Sequence, residues 1–321
     1  MLSRLFVTKK KRANTRFLLH VGYPRTSTTW LQSDILPHLG GVHYLGYRYE
    51  KSHWYQQNLV SEIALSDDAH YHPRTLSQTF DKLMRFDQSN VFSSEAFLSP
   101  HDTAISAPRC AEVFAAYDSH VLIGLRRQDH FALSAYYHQL RHFYEIMATK
   151  REGRDPVYSI EDCLECPVQN CKWPDCSLSH QVKWQPFKSD RHCDCLDHGC
   201  KTLPLWYLDY HKVVTDFQKA FGADRVHIIL LEETAKDSLG TIQRVAGLLK
   251  STSTPEHLQQ LADIPKRNSL QPFDGIDYEA LKKNYYAPGG TASWVLDQCR
   301  GSNKKLAALF PAERFADFGY F

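Results

Sequence analysis

Gly22-Tyr-Pro-Arg-Thr-Ser-Thr-Thr-Trp30 follows the apolar run Phe17-Leu-Leu-His-Val21 and precedes Trp30, Leu31 and Ile35 at helical spacing. The order reads as strand, loop and helix, with Phe17–Val21 as a buried strand and a helix over Thr26–Leu36 closed by Pro37. That is where a phosphate-binding loop sits. The usual nucleotide loop has Gly and then Lys at the fifth and sixth positions after its first Gly. Its Lys lies beside the phosphates and its closing Ser or Thr on Mg²⁺. Here those positions hold Ser27 and Thr28, and the only basic residue of the loop is Arg25. Backbone N–H groups, hydroxyls, a helix start and a guanidinium fork together favour an anion. A cation in mid-loop stands beside the distal group and the atom that bridges it to the phosphate, which suits transfer of a terminal group without a metal. A helix start rich in Thr and Ser also serves as plain capping.

Outward from the loop, further strands are expected in Gly40–Leu45, Ser89–Ser94, Val121–Leu125 and Val226–Leu231. Helical patterns run from Phe131 to about Met147, from Leu205 to Phe221 and from Leu239 to Leu249, and Gly222 offers a left-handed cap. Strands alternating with helices, and apolar along their whole length, predict an α/β fold. Its core would be a parallel sheet flanked by helices in three layers, like that of the P-loop NTPases. The expected organisation is one domain over residues 1–321, with an inserted subregion at 152–202 where periodicity fails.

The chain has 321 residues, 43% hydrophobic and 23% charged, with a net charge of +2. That is ordinary globular composition, and the charge gives no general pull towards nucleic acid. The basic run Lys9-Lys-Lys-Arg12 reads as a solvated tail. No stretch reaches the roughly 18 consecutive apolar residues of a membrane span. The first seven residues are too short for a signal-peptide core, so the expectation is a cytoplasmic protein with reduced thiols.

Three stretches together resemble the sulfotransferases that use 3′-phosphoadenosine 5′-phosphosulfate. The family's first signature is similar to Tyr-Pro-Lys-Ser-Gly-Thr-Thr-Trp; here it reads Tyr23-Pro-Arg-Thr-Ser-Thr-Thr-Trp30. Its second is an Arg at a strand end with Ser eight residues on and then Tyr, matched by Arg126 and Ser134-Ala-Tyr136. The third is a late helix–strand unit, resembled by Tyr207–Val213 and Phe221–Glu232; Ser302-Asn-Lys-Lys-Leu306 adds a weak likeness. The resemblance covers most of residues 16–150 and 203–250. Two departures stand in the loop: Arg25 where the family has Lys, and Ser27 where it has Gly. Ser at a position needing positive φ costs about 1 kcal/mol.

The resemblance implies in-line transfer of a sulfuryl group to an acceptor hydroxyl on a carbohydrate or small molecule. The donor's 5′ end would lie on Gly22, Arg25, Thr26, Ser27, Thr28 and Thr29, with Arg25 stabilising charge on the bridging oxygen. Trp30 would stack on the adenine or serve the core. Arg126 and Ser134 would bind the 3′-phosphate, and Lys266 and Arg267 would close over it. Glu95, after the third expected strand, is the chosen base. His138 is a lesser candidate, and His20 reads as a buried, hydrogen-bonded histidine. Two other readings stay open: a nucleoside-phosphate kinase or NTPase with a degenerate loop, and a non-catalytic nucleotide-binding protein with a zinc interaction module.

Seven of the nine cysteines fall in the inserted subregion: Cys163, Cys166, Cys171, Cys176, Cys193, Cys195 and Cys200, with His180, His192 and His198 among them. In a reducing compartment their spacing favours one or two structural zinc sites over disulfides, although it matches no diagnostic finger pattern.

Overall fold

The apolar runs Phe17-Leu-Leu in β1 (Arg16–Gly22), Val121-Leu-Ile in β4 (Asp118–Leu125) and Ile228-Ile-Leu in β5 (Val226–Leu230) are buried on both faces, which suits a sheet held between two layers of helices. The computed structural model describes residues 12–23, 25–46, 59–60, 62–64, 66, 68–98, 103–150, 205–265, 273 and 276–321. In chain order the elements are β1 (Arg16–Gly22), α1 (Thr28–Trp30), β2 (Val42–Tyr44), α2 (Pro73–Leu83), β3 (Ser89–Ser93), α3 (Thr103–Phe114), β4 (Asp118–Leu125), α4 (Gln128–Lys150), α5 (Tyr210–Phe221), β5 (Val226–Leu230), α6 (Leu231–Lys236), α7 (Ser238–Leu248), α8 (Pro255–Ala262), α9 (Tyr278–Tyr285), α10 (Thr291–Leu309) and α11 (Ala312–Ala316).

The sheet is entirely parallel, in the order β2-β3-β1-β4-β5. Its alternation sends neighbouring residues of β1 into different layers. Phe17 packs against Phe80 of α2, Phe114 of α3 and Tyr117, with ring centroids 6.4, 4.4 and 5.9 Å away. Leu18 joins Trp30, Leu31 and Ile35, together with Ile242 and Val245 of α7 and Leu258 and Leu261 of α8. The α/β expectation is therefore met, with β1 in the middle and its carboxyl end between those of β3 and β4.

The chain divides into two compact units, Met1–Arg126 with Lys212–Ser269, and Arg127–His211 with Leu270–Phe321. The first holds the whole sheet. In the second, α4 and α10 are joined by paired side-chain amides, Gln128 Nε2 to Asn303 Oδ1 at 2.6 Å and Asn303 Nδ2 to Gln128 Oε1 at 3.1 Å. Tyr285 of α9 donates to the Asp129 carbonyl at 3.0 Å. Arg127 clasps the Asp129 carboxylate at 2.7 and 2.8 Å, so its charge is committed locally.

Some boundaries differ from the sequence reading. The expected Thr26–Leu36 helix is α only over Thr28–Trp30. It continues as π-helical Leu31–Ile35 and then as a 3₁₀ turn, Leu36–His38, that contains Pro37. Pro37 has no N–H to continue the ladder, and the tighter turn accommodates it. The expected Leu205–Phe221 helix is a 3₁₀ turn, Leu205–Leu208, followed by α5. Gly222 has the positive φ of 99° but an extended ψ of 144°, so it is not a left-handed cap; it leads into a 3₁₀ turn, Ala223–Arg225, that precedes β5. The inserted subregion at 152–202 lies outside the described residues. Among the described residues no helix is long and apolar enough to cross a membrane.

Candidate functional site

The end of β1 is shaped by a missing side chain. A Cβ on Gly22 would lie 2.4 Å from Thr28 Cγ2, so only glycine lets the start of α1 close onto the strand. Beyond it the backbone curls. Arg25 and Ser27 have φ of 69° and 62°, and Thr26 between them does not share the left-handed region. Alternation of that kind turns successive N–H groups towards one concave side, the arrangement that holds anions. Each left-handed non-glycine residue costs roughly 1 kcal/mol or more. Thr26 Oγ1 donates to the Tyr23 carbonyl at 2.6 Å, and Leu31 N–H donates to the Ser27 carbonyl at 3.1 Å. These bonds hold the strained turn. Because α1 is a single α-turn, the anion preference rests on the curled loop and the Arg25 charge more than on a helix dipole.

Two further groups come from neighbouring strand ends. Glu95 opens the 3₁₀ turn Glu95–Phe97 just after β3, and its carboxylate accepts a hydrogen bond from the Thr28 hydroxyl. Burial pushes the Glu95 carboxyl above the usual carboxylate range, while the Thr28 bond and the Arg25 charge oppose that rise. Arg126 follows β4 directly, and its Nη1 donates to the Arg25 carbonyl at 3.1 Å. Residues separated by 101 positions thus meet where β1 and β4 end side by side.

Beneath the loop lies a neutral polar support. His20 is 1% exposed, and its Nδ1 is 2.7 Å from Ser93 Oγ. Ser93 Oγ also accepts from Gln32 Nε2 at 3.0 Å, which leaves its own proton for His20 Nδ1. Burial lowers the His20 pKa to about 4, so the ring is neutral near pH 7. This agrees with the expectation of a buried, hydrogen-bonded histidine. The Ser94 N–H donates to the His20 carbonyl at 3.0 Å and sets the chain up for Glu95.

The other expected site residues divide as follows. Thr28 is buried and Thr29 partly exposed at the start of α1. Trp30 is 2% exposed and packs in the core with Leu31, Ile35 and Ile242. Of its two expected roles, core packing is the one observed, because the ring is already enclosed by apolar side chains. Ser134 is buried on α4, and His138 is exposed on the same helix, both in the second unit. Lys266 and Arg267 lie outside the described residues, as do Cys163, Cys166, Cys171, Cys176, Cys193, Cys195 and Cys200. Among the described residues no group of three or more His, Cys, Asp or Glu is placed to hold a metal, and Cys110 and Cys299 are buried free thiols. The sequence reading did not foresee the Thr28–Glu95 contact or the Gln32–Ser93–His20 support. The alternation of β1 and β3 could have suggested that His20 and Ser93 face one layer; nothing local could have paired Thr28 with Glu95.

No known family profile matches the chain, and no curated protein sequence does. Two similar solved structures are both sulfotransferases. One, from Alicyclobacillus acidocaldarius, is 16% identical; the match covers 92% of this chain and 96% of that one, with a TM-score of 0.47. The other, from Mycobacterium tuberculosis, is 13% identical; the match covers 93% of this chain and 80% of that one, with a TM-score of 0.37.

Proposed function

We propose that this chain is a sulfotransferase that moves a sulfuryl group from 3′-phosphoadenosine 5′-phosphosulfate to an acceptor hydroxyl on a carbohydrate or small molecule, without a metal. The observation that carries the reading is the meeting of its two sequence signatures. Arg126, from the second, is bonded to the backbone of Arg25, from the first, with Glu95 beside the same loop. In this reading the curled loop holds the 5′-phosphosulfate and Arg126 takes the 3′-phosphate. Ser134 is given the same role by sequence likeness alone.

The acceptor oxygen attacks sulfur while the bond from sulfur to the bridging oxygen breaks. The electron pair goes to the 5′-phosphate oxygen, where Arg25 meets the growing charge, and the acceptor proton passes to Glu95. Stabilisation of such charge contributes roughly 10²–10³ in rate. A carboxylate whose pKa is raised by burial is a better base than an exposed one. The single-domain organisation belongs to this proposal, as does a structural zinc held among the seven clustered cysteines.

Two measurements on one sample test it: calorimetric titration with adenosine 3′,5′-bisphosphate, and an acceptor screen with ³⁵S-labelled donor in EDTA. Binding together with metal-independent label transfer is expected. Turnover that requires Mg²⁺ and a nucleoside triphosphate would instead mark a kinase or NTPase. Nucleotide binding without transfer to any acceptor would mark a non-catalytic relative.

A further inference from the structure

The Thr28 side chain has little freedom. Its methyl fills the space left by the absent Cβ of Gly22, and the residue is 2% exposed. That packing turns the hydroxyl to Glu95, to which it donates. A hydroxyl has one proton to give. It cannot serve the Glu95 carboxylate and a phosphate oxygen on the loop together. Thr28 is therefore shared between the group that holds the donor and the group that accepts the acceptor's proton.

We propose that Thr28 is a positioning residue which hands its hydroxyl proton from Glu95 to the donor's 5′-phosphate, so that Glu95 is freed as a base only when the donor is seated. The inference rests on the sulfotransferase reading and adds to it an order of events, with the donor preparing the base before the acceptor reacts. Losing a hydrogen bond to its ionised form makes a carboxylate hold a proton more tightly. Among the described residues the charge bearing on Glu95 is the Arg25 guanidinium, which favours the ionised form and would be partly answered by the donor phosphate. From β1, which packs against the Glu95–Phe97 turn, comes His20, kept neutral by burial. Burial itself already raises the Glu95 pKa.

The test is proton uptake on nucleotide binding, measured by calorimetry with adenosine 3′,5′-bisphosphate in buffers of different ionisation enthalpy between pH 5 and 7. The wild type is expected to take up about half a proton through Glu95, seen as a roughly threefold gain in affinity per pH unit lowered. Glu95→Gln removes that share and leaves only the titration of the nucleotide's own phosphates. Thr28→Val, which keeps the shape and deletes the hydroxyl, should lose most of the same share, and Thr28→Ser should retain it. Should the valine variant not fold, Thr28→Ala is read in the same way. Binding with uptake as large in Thr28→Val as in the wild type overturns the coupling alone. A wild type that binds no nucleotide overturns both the coupling and the sulfotransferase reading.

Discussion

Arg25 combines a full positive charge with a left-handed backbone, at φ 69°, in the middle of the candidate loop. Arg25→Ala should lower sulfuryl transfer by about 10²–10³ while weakening adenosine 3′,5′-bisphosphate only a few-fold, because the charge it answers develops in the transition state. Turnover near wild type in a labelled-donor assay would remove Arg25 from the chemistry. Ser27, with φ 62°, pays a conformational cost that glycine avoids. Ser27→Gly should raise stability by about 1 kcal/mol, read as a higher urea midpoint. The resemblance of the loop to the sulfotransferase signature singles out this residue, since Ser stands where that signature has Gly. For Glu95 the raised pKa sets a direction with pH: a base must be deprotonated, so kcat/KM should rise as pH rises through a value above the usual carboxylate range. Glu95→Gln should be about 10²–10⁴-fold slower and lose that limb. A limb that survives in the variant would belong to another group.

At the scale of elements, the loop, Glu95 and Arg126 of the candidate site come together because β1, β3 and β4 are neighbours and end side by side. The Arg126 bond to the Arg25 carbonyl means that this side chain supports the loop, besides the 3′-phosphate role proposed for it. Arg126→Ala should therefore weaken binding of adenosine 3′,5′-bisphosphate strongly and of the 5′-monophosphate by a smaller, measurable factor. Equal losses in parallel calorimetric titrations would place the 3′-phosphate elsewhere. The apolar strands were legible because parallel strands buried on both faces carry unbroken runs of Leu, Ile, Val and Phe. Helix α3 was not foreseen: Pro108 lies inside it and disrupts the pattern by which helices are read. The π-helical Leu31–Ile35 stretch shares apolar spacing with an ordinary α-helix and differs only in its hydrogen bonds, so the sequence could not distinguish the two.

At the scale of the whole molecule, several histidines are kept neutral by the fold. His20 and His120 have pKa values lowered to about 4, both mainly by burial, and that of His227 is lowered too. His120 Nδ1 lies 3.0 Å from His227 Nε2, and the positive charge of Arg16 bears on both rings. In the unfolded chain these rings bind protons near pH 6.5. Between pH 6.5 and 4 the unfolded state therefore holds more protons than the folded one, and stability falls as pH falls through that window. Enclosed His20 alone accounts for about 3 kcal/mol across it. Urea midpoints at pH 7.5, 6 and 5 should decline in that order, and His20→Asn should flatten the decline. A midpoint that does not move over this range would show that the rings titrate normally in the folded protein. What the amino-acid order determined by itself was local: which runs are apolar enough to be buried strands, where glycine permits a close turn, and which loop carries cation and hydroxyls in the place of a phosphate cradle. Which residues meet was decided only by the packed sheet. The bond between Arg126 and Arg25, the partnership of Thr28 with Glu95 and the enclosure of Trp30 each join positions distant in the chain or depend on layers closing around them, and no short-range pattern records such distances.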